Sequence, residues 1–368
     1  MASPTSPITD NAVTPSRPLA ISMGEPGGVG TELLFKAYRH FADFPPGKGP
    51  QFFLIDDPFR VEKLSRELDA NIPIVTLRHP QETAEQFQHG LPILPLDEDM
   101  IDPLRYVKLG EASASTAKAV IASLDAAVTF VCDGTASGLV TLPIQKEALQ
   151  EAGFSHPGHT DYLGELTKEI AMPKGMARGP VMLLTAGPFR VAPVTVHIPL
   201  SQVAPSLSAD SIVRTGMVVA QSLARDYGIL TPKIAVAGLN PHAGEGGMLG
   251  TEDENIIAPA IAALRAQGVD AFGPLPGDTM FHEEARSLYH AALTMYHDQG
   301  LIPIKTIAFY AAVNTTIGLP IVRTSPDHGT ALQIAGKGIA RPDSLTNAIY
   351  AADRMAKARA SFDVHYAK

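Results

Sequence analysis

Short apolar runs of strand type alternate with stretches of helical periodicity along most of the chain, and this alternation constrains the fold more than any other feature. The strand-like runs lie at 19–23, 51–55, 128–132, 138–142, 181–185, 190–196, 233–238 and 320–324. Helical periodicity marks residues 32–41, 113–127, 209–227 and 254–267. The sequence therefore predicts an α/β fold.

Length and charge limit the class of protein. The 368 residues exceed the usual size of a single core, which predicts one large α/β unit or two domains that share a sheet. No uninterrupted apolar stretch reaches the roughly 20 residues of a membrane helix, so we expect no membrane contact. The net charge of −9, without a basic block, argues against a nucleic-acid partner. The single cysteine excludes an internal disulfide and favours the cytoplasm.

Three segments differ from this pattern. Residues 1–17 are polar and proline-rich and lack the apolar core of a signal peptide, so we predict a disordered tail. Proline and glycine at 43–50 predict a surface loop. Residues 89–103 are predicted to leave the core as an excursion.

Two glycine-rich segments could bind a ligand. Residues 23–32 follow a strand and open a helix, a position where backbone amides can receive an anion. The segment matches neither the dinucleotide fingerprint, whose last glycine would fall at Leu33, nor the P-loop, so a tight turn without a ligand is an equal alternative. Residues 325–338 combine small residues with an exposed polar pair, and a flat cofactor could lie there.

Three histidines close strand-like runs and are candidate metal ligands. His242 and His297 lie among glycines, and His197 follows the run at 190–196. Taken alone, each is more often a half-buried side chain, but their shared setting favours metal binding. No compact zinc signature is present, so tertiary structure would have to assemble the site, as in catalytic centres with open positions.

A phosphate-binding group is also conceivable. Lys305, Asn314 and Arg323 could combine with the segment at 158–161, the lysine as a point charge and the arginine as a two-pronged donor. Taken singly, such residues are more often solvated surface charges.

Six segments closely resemble the 4-hydroxythreonine-4-phosphate dehydrogenase family of pyridoxal phosphate biosynthesis, in the same order across roughly residues 18–350. They are Gly-His-Thr-Asp (158–161), Leu-Asn-Pro-His-Ala-Gly-Glu-Gly-Gly (239–247), Gly-Pro-Leu-Pro-Gly-Asp-Thr (273–279), Tyr-His-Asp-Gln-Gly (296–300), Val-Asn-Thr-Thr-Ile-Gly-Leu-Pro (313–320) and Arg-Thr-Ser-Pro-Asp-His-Gly-Thr-Ala (323–331). The resemblance implies the isocitrate and isopropylmalate dehydrogenase-like fold, in which two α/β domains flank a cleft without a classical Rossmann fingerprint. It places a cofactor-binding domain at 18–145 plus 301–368, and a metal, substrate and dimerisation domain at 146–300.

The resemblance also implies the roles of individual residues. A divalent metal, zinc, cobalt or magnesium, would be held by His197, His242 and His297, in a site shared across a homodimer. The phosphorylated substrate would contact His159, Thr160, Lys305, Asn314 and Arg323. NAD, or alternatively NADP, would lie against Asp327, His328, Gly329, Thr330, Ala331, Gly336 and Gly338. On chemical grounds, rather than from the resemblance, Asp278, Asp298 or a metal-bound water could accept the proton, and the choice stays open. Lys146 matches a family lysine and could aid proton transfer, with an ordinary surface lysine as the alternative.

The implied reaction is oxidation of 4-phosphooxy-L-threonine at its secondary alcohol, followed by decarboxylation to 3-amino-2-oxopropyl phosphate. The same chemistry on threonate or erythronate 4-phosphate is an alternative substrate choice. A metal-dependent phosphate-ester hydrolase and a catalytically silent ligand sensor are alternatives of other classes. The chain departs from the family pattern at Glu25, usually aspartate, and at Leu142, usually glycine. Either change could alter substrate shape or cofactor affinity.

Overall fold

The computed structural model describes residues 17–156 and 158–366, so the predicted tail lies outside the described residues except for Arg17. The strands are β1 Leu19–Ser22, β2 Phe52–Asp56, β3 Ile74–Thr76, β4 Leu91–Pro95, β5 Gly138–Thr141, β6 Val181–Ala186, β7 Phe189–Thr195, β8 Lys233–Ala237, β9 Asp270–Leu275, β10 Ala291–Tyr296, β11 Val313–Ile317 and β12 Arg323–Pro326. The α-helices are α1 Gly30–Ala42, α2 Pro58–Glu67, α3 Thr83–Gln86, α4 Glu98–Ile101, α5 Ala117–Cys132, α6 Lys146–Glu151, α7 His159–Leu166, α8 Val203–Ser206, α9 Ala209–Tyr227, α10 Ala258–Ala266, α11 Glu283–Arg286, α12 His297–Ala308 and α13 Asp343–Tyr366. The predicted α/β class is confirmed.

The described strands form one twelve-stranded sheet in the order β3-β4-β2-β1-β5-β12-β11-β6-β7-β10-β8-β9. The strands from β3 to β12 in this order are parallel, and so are those from β7 to β9. Antiparallel pairing of β12, β11, β6 and β7 joins these two stretches. Because three consecutive strand pairs are antiparallel, the strands from β3 to β12 run in the opposite direction to those from β7 to β9.

Helix α9 illustrates how the local sequence sets an element's bounds. The Ser208 side chain accepts a hydrogen bond from the Ser211 amide, and the Ser211 side chain bonds back to the cap residue, forming a reciprocal capping box. Gly228 ends the helix in the left-handed region, at φ 69°. The predicted helix at 209–227 is therefore confirmed at both ends.

Two predictions about elements were wrong. The run 128–132, predicted as a strand, is the last part of α5, because a short apolar run does not by its composition separate a strand from a buried helix. Residues 91–95, placed in the predicted excursion, form β4, a largely buried strand that pairs with β2 and β3. Helix α5 lies within the stretch Ala114–Cys132, which is long and apolar enough to cross a membrane. However, α5 packs on β1, β2 and β5, as a core helix does.

Two ion pairs join α9 to α13. The Arg359 guanidinium donates to both carboxylate oxygens of Asp226, at 2.8 and 3.0 Å, and both groups are buried. Arg225 donates to both carboxylate oxygens of Asp363, at 2.8 and 2.6 Å. Helix α13 packs on β5 and β12, and α9 packs on β6 and β7, so these ion pairs connect helices that cover two different parts of the sheet.

Candidate active site

A cleft of about 1150 Å³ lies over the middle of the sheet. It is lined by twelve of the predicted site residues: Lys146, His159, Thr160, His197, His297, Asp298, Lys305, Asn314, Arg323, Asp327, His328 and Gly329. Six others do not line it: His242, Asp278, Thr330, Ala331, Gly336 and Gly338. The phosphate-binding candidates, separated widely in sequence, are thus brought to one cavity.

The pairing of the central strands explains the floor of this cleft. Arg323 on β12 lies opposite Thr316 on β11, and Thr316 lies opposite Met182 on β6. Residues directly opposite each other on neighbouring strands point to the same face of a sheet. Asn314 and Ser325 form the next row on that face, and both line the cleft.

Arg323 is a buried charge at the bottom of the cleft. Its side chain is only 3% exposed, and its guanidinium donates to the hydroxyls of Thr141, at 2.7 and 3.2 Å, and of Thr316, at 2.8 Å. No carboxylate of the described residues lies within ion-pair distance of it. Burial lowers the pKa of Arg323 from its ordinary value to about 10. The guanidinium is suited to an incoming anion.

His159, the first residue of α7, lies close to this charge. Burial holds the pKa of His159 well below 6.5, and the charges of Arg323 and Lys146 lower it further. The imidazole is therefore neutral at physiological pH. Its Nε2 atom is buried and has no hydrogen-bond partner among the described residues, so it is available to a ligand.

The charges that line the cleft favour an anion. Five side chains are permanent cations: Lys146, Arg178, Arg214, Lys305 and Arg323. Three are carboxylates: Asp161, Asp298 and Asp327. Lys305 pairs with Asp327 at 3.0 Å, and Asp298 contacts His297. Asp161 has no hydrogen-bonding or ion-pair partner in the part of the chain that the structure describes.

Two of the three predicted metal ligands lie side by side. His197 follows β7 and His297 follows β10, and these strands are parallel neighbours whose ends are in register at Thr195 and Tyr296. The two imidazole centroids are 5.6 Å apart. The Asp298 carboxylate lies 2.6 Å from Nδ1 of His297, which leaves Nε2 for a ligand. The pKa of His197 is lowered, mainly by burial, so its imidazole is neutral and can coordinate.

His242 does not join this pair within one chain. Among residues 17–156 and 158–366, no three His, Cys, Asp or Glu side chains are close enough to hold a metal ion. The His242 side chain is 66% exposed, in a loop where it adopts φ 55°. The loop is held from behind by Asp253, whose carboxylate accepts the amides of Leu239 and Asn240. Asp278 is likewise exposed, in the loop after β9.

The glycine-rich segment at 23–32 does not line the cleft, and the amides of Gly27, Gly28 and Val29 are hydrogen-bonded within the chain, which favours the tight turn without a ligand over the anion site. The Glu25 carboxylate accepts the Gly27 amide at 3.1 Å. At Gly24, where φ is 64°, a Cβ would lie 2.7 Å from the Cβ of Leu142. Neither Glu25 nor Leu142 lines the cleft, and the Glu25 amide donates to the Pro143 carbonyl oxygen at 2.8 Å, so the two loops that carry these departures from the family pattern contact each other. Their position does not support a direct effect on substrate shape, and an effect on cofactor affinity stays a prediction.

The second glycine-rich segment borders the cleft at its start. His328 Nδ1 lies 2.9 Å from the Gly329 carbonyl oxygen, so Nδ1 carries the proton and Nε2 is an acceptor. That Nε2 is buried, without a partner among the described residues. The Thr330 carbonyl accepts the Val29 amide at 3.0 Å, and its hydroxyl donates to Gln145 at 2.9 Å. Thr330 therefore supports the segment from behind.

Sequence reasoning missed several residues of the cleft. Arg178 and Arg214 add positive charge, Asp161 adds a carboxylate, and Thr141 holds the Arg323 guanidinium. Asp161 stands in the segment 158–161, whose sequence already indicated a binding role, and could have been found there. The others depend on strand pairing and helix placement.

The chain is similar to proteins of one family over most of its length. Residues 50–352 match the family described as pyridoxal phosphate biosynthetic protein PdxA. A 4-hydroxythreonine-4-phosphate dehydrogenase from Caulobacter vibrioides is 49% identical, over 94% of this chain and 99% of the relative. The crystal structure of a 4-hydroxythreonine-4-phosphate dehydrogenase from Klebsiella pneumoniae matches with a TM-score of 0.79 at 33% identity, over 94% and 99% of the two chains. One from Burkholderia phymatum matches with a TM-score of 0.75 at 32% identity, over 92% and 98%.

Proposed function

The chain belongs to the PdxA family of pyridoxal phosphate biosynthetic proteins, and from this premise we propose that it oxidises 4-phosphooxy-L-threonine with NAD and a divalent metal. The secondary alcohol loses a hydride and a proton, and the resulting β-keto acid loses carbon dioxide to give 3-amino-2-oxopropyl phosphate. The observation that carries the proposal is the buried Arg323 guanidinium, which lacks a carboxylate partner among the described residues and faces a cleft with two adjacent histidines.

Arg323, His159 and Lys305 bind the phosphate in this proposal. Arg323 is held by threonine hydroxyls, which leaves its charge uncompensated until an anion arrives. A neutral His159 can donate one hydrogen bond from Nε2, and Lys305 can exchange its contact with Asp327 for the phosphate. Thr160 and Asn314 line the same cavity and supply further hydrogen bonds.

Asp161 favours an amine-bearing acid over a sugar acid. It lines the cleft close enough to His197 that its charge partly offsets the lowering of that residue's pKa by burial, and it has no counter-ion among the described residues. The ammonium group of 4-phosphooxy-L-threonine would supply one, whereas the hydroxyl of threonate or erythronate 4-phosphate would not. Replacing Asp161 by Asn should therefore weaken binding of the amine-bearing substrate more than that of the sugar acids.

His197 and His297 fit a metal ion as two of its ligands. With metal–nitrogen bonds of about 2.1 Å, two imidazoles on a tetrahedral ion have centroids roughly 5 Å apart, close to the separation of 5.6 Å here. A third ligand would be His242 of the partner subunit in a homodimer. When bound, a zinc, cobalt or magnesium ion would supply Lewis-acid polarisation of the substrate oxygens. Asp298 orients the His297 ring through Nδ1.

The segment at 327–338 fits a nicotinamide cofactor, which would accept the hydride. The buried, unpartnered Nε2 of His328 can accept a hydrogen bond from a ligand donor such as a carboxamide. A Cβ at Gly329 or Gly338 would meet no atom within 4 Å, so a flat ligand can approach the backbone at both positions. Support for NAD over NADP comes from the family resemblance alone.

Two of the candidate proton-handling side chains line the cleft of the same chain. Lys146 lies beside Gly158, where a Cβ would be 3.5 Å from its Nζ, at the start of the substrate-binding helix α7. Asp298 is engaged with His297. We therefore assign Lys146 to proton transfer near the alcohol, and Asp278 would act only if a partner subunit brought it there.

We further assign the sheet to the isocitrate and isopropylmalate dehydrogenase-like fold, with domains at 18–145 plus 301–368 and at 146–300. The two oppositely directed parallel stretches joined by antiparallel strands support this assignment. We place the reaction in the cytoplasm, in keeping with the single cysteine.

The reaction is tested with purified protein, a divalent metal, NAD and 4-phosphooxy-L-threonine. We expect growth of reduced-cofactor absorbance together with release of carbon dioxide. Release of inorganic phosphate without reduced cofactor would instead support the hydrolase alternative, and binding without any turnover would support the sensor.

The shared metal site is tested by mixing two inactive variants, His197→Ala and His242→Ala. In a mixed dimer one site would carry both substitutions and the other neither. Random reassociation should restore about a quarter of wild-type activity, because half the dimers are mixed and each has one intact site. No recovery after demonstrated subunit exchange would refute the shared site.

A further inference from the structure

We propose that Glu32 and Lys36, two residues of α1 outside the cleft, are positioning residues that hold the far end of the cofactor segment and thereby set the affinity for the nicotinamide cofactor. This inference rests on the proposed function, since it assumes that the segment at 327–338 binds the cofactor. Neither residue lines the cleft, and neither belongs to the segments that carry the family resemblance.

The contacts are specific and converge from one helix face. The Lys36 ammonium donates to the carbonyl oxygens of Gly338, at 2.8 Å, and Ala340, at 2.7 Å. The Glu32 carboxylate accepts the Gly336 amide at 3.0 Å. Glu32 and Lys36 are themselves an i,i+4 ion pair, at 3.7 Å. Three backbone groups of residues 336–340 are thus fixed by two charged side chains.

Besides these contacts, the far end of the segment is held by the Lys337 amide, which donates to the Ile334 carbonyl oxygen at 3.2 Å, and by the buried Ala335 and Ala340. Its near end continues directly from β12 and is anchored by Ser344, whose hydroxyl accepts the Asp327 amide at 2.8 Å. The far end contains Gly336 and Gly338, both at positive φ, and glycine is the residue with the most conformational freedom to lose. A segment of this kind is ordered only if side chains satisfy its backbone groups.

The two glycines face different surroundings, which indicates where a ligand can approach. A Cβ at Gly336 would lie 2.7 Å from the Leu109 side chain, so Gly336 packs against protein. A Cβ at Gly338 would meet nothing within 4 Å. Lys36 holds the carbonyl of Gly338, and therefore the open part of the segment, in place from the helix side.

The test replaces Lys36 by Met, which removes both hydrogen bonds and keeps an unbranched apolar stem. We expect the KM for NAD to rise about tenfold, the equivalent of about 1.4 kcal/mol or one to two net hydrogen bonds. The kcat at saturating NAD and the KM for the phosphorylated substrate should stay within about twofold. The Kd for NADH, measured without turnover from its own fluorescence in this tryptophan-free chain, should rise by the same factor as the KM.

Three further variants separate positioning from general stability. Lys36→Arg keeps a donor for the carbonyls and should restore most of the NADH affinity. Glu32→Gln keeps an acceptor for the Gly336 amide and should have a smaller effect than Lys36→Met. Lys63→Met breaks a matched i,i+4 pair with Glu67 on α2, also at 3.7 Å, that contacts no part of the segment, and should leave NADH binding unchanged.

The outcomes are distinguishable. NADH affinity equal to wild type in Lys36→Met would refute the inference alone. The inference would also fail if Lys36→Met lowered the apparent kcat and the melting temperature while both KM values and the NADH Kd stayed unchanged, because that pattern reports a loss of folded protein. A wild-type protein that neither reduces NAD nor binds NADH would overturn the proposed function, and the inference with it.

Discussion

Replacing Arg323 by Met should leave the ligand-free protein at least as stable as wild type. The lowered pKa of Arg323 means that folding disfavours its charged form, and this penalty is fully present at every pH below about 10. At about 1.4 kcal/mol per pKa unit, the fall of the Arg323 pKa to about 10 means that the buried charge costs roughly 3 kcal/mol. Loss of the hydrogen bonds to Thr141 and Thr316 removes about half of that gain. We expect a net change between zero and about 2 kcal/mol in favour of the variant.

The assay is urea unfolding at pH 7 followed by circular dichroism, in phosphate-free buffer and then with added inorganic phosphate. Phosphate at ten times its Kd should stabilise the wild type by about 1.4 kcal/mol and the variant by nothing measurable. The matched control is Arg60→Met, because Arg60 is equally buried but forms a bidentate pair with Asp56. That control should lose about 3–5 kcal/mol, since it strands a buried carboxylate.

Two results would refute this reasoning. A loss of about 3 kcal/mol or more in ligand-free Arg323→Met, comparable to the roughly 3–5 kcal/mol expected for Arg60→Met, would mean that the guanidinium is structural. Equal stabilisation of variant and wild type by phosphate would mean that the anion binds elsewhere.

Three further substitutions test other features. Burial raises the pKa of Glu25, so its charge costs stability above the raised pKa and costs nothing below pH 4.5. Glu25→Gln should therefore raise the free energy of unfolding at pH 7, and urea titrations should show this gain shrinking towards pH 5. A gain that does not depend on pH would contradict the assignment. Asp226→Asn strands the Arg359 guanidinium and should cost about 3–5 kcal/mol in urea unfolding; a loss below about 1 kcal/mol would mean that the pair is not buried as described. Tyr162→Phe removes the 2.7 Å hydrogen bond to Asp125 that joins α7, the helix that begins at His159, to α5. It should raise the KM for the phosphorylated substrate several-fold and lower the free energy of unfolding by about 1 kcal/mol. An unchanged KM would show that this bond does not position His159.

Local sequence signals predict an element well when its ends carry capping residues. Helix α9 is the clearest case, because the Ser208 cap, the apolar periodicity and Gly228 all lie within its own stretch of sequence. The prediction of a strand at 128–132 failed because its four apolar residues and one threonine suit either a strand or the buried end of a helix, and only packing on β1 and β5 decides between them.

The candidate site was predictable in residue type and only partly in geometry. Histidines at strand ends could be recognised from sequence, but their adjacency depends on β7 and β10 being neighbours, which no local pattern specifies. Thr141 was missed as the partner of Arg323 because 182 positions separate the two, and strand order alone brings them together.

The order in which the strands occur along the chain has a consequence for biosynthesis. Strand β5 needs β12 as its second neighbour, and α13 covers both, yet β12 and α13 are made after β6 to β11. A ribosome must therefore complete β6 to β11 while the apolar edge of β5 has no native neighbour. Such an edge is prone to non-native pairing. Nascent chains that stop before residue 323 should aggregate or stay bound to chaperones, and completion of the carboxyl-terminal helix should release them.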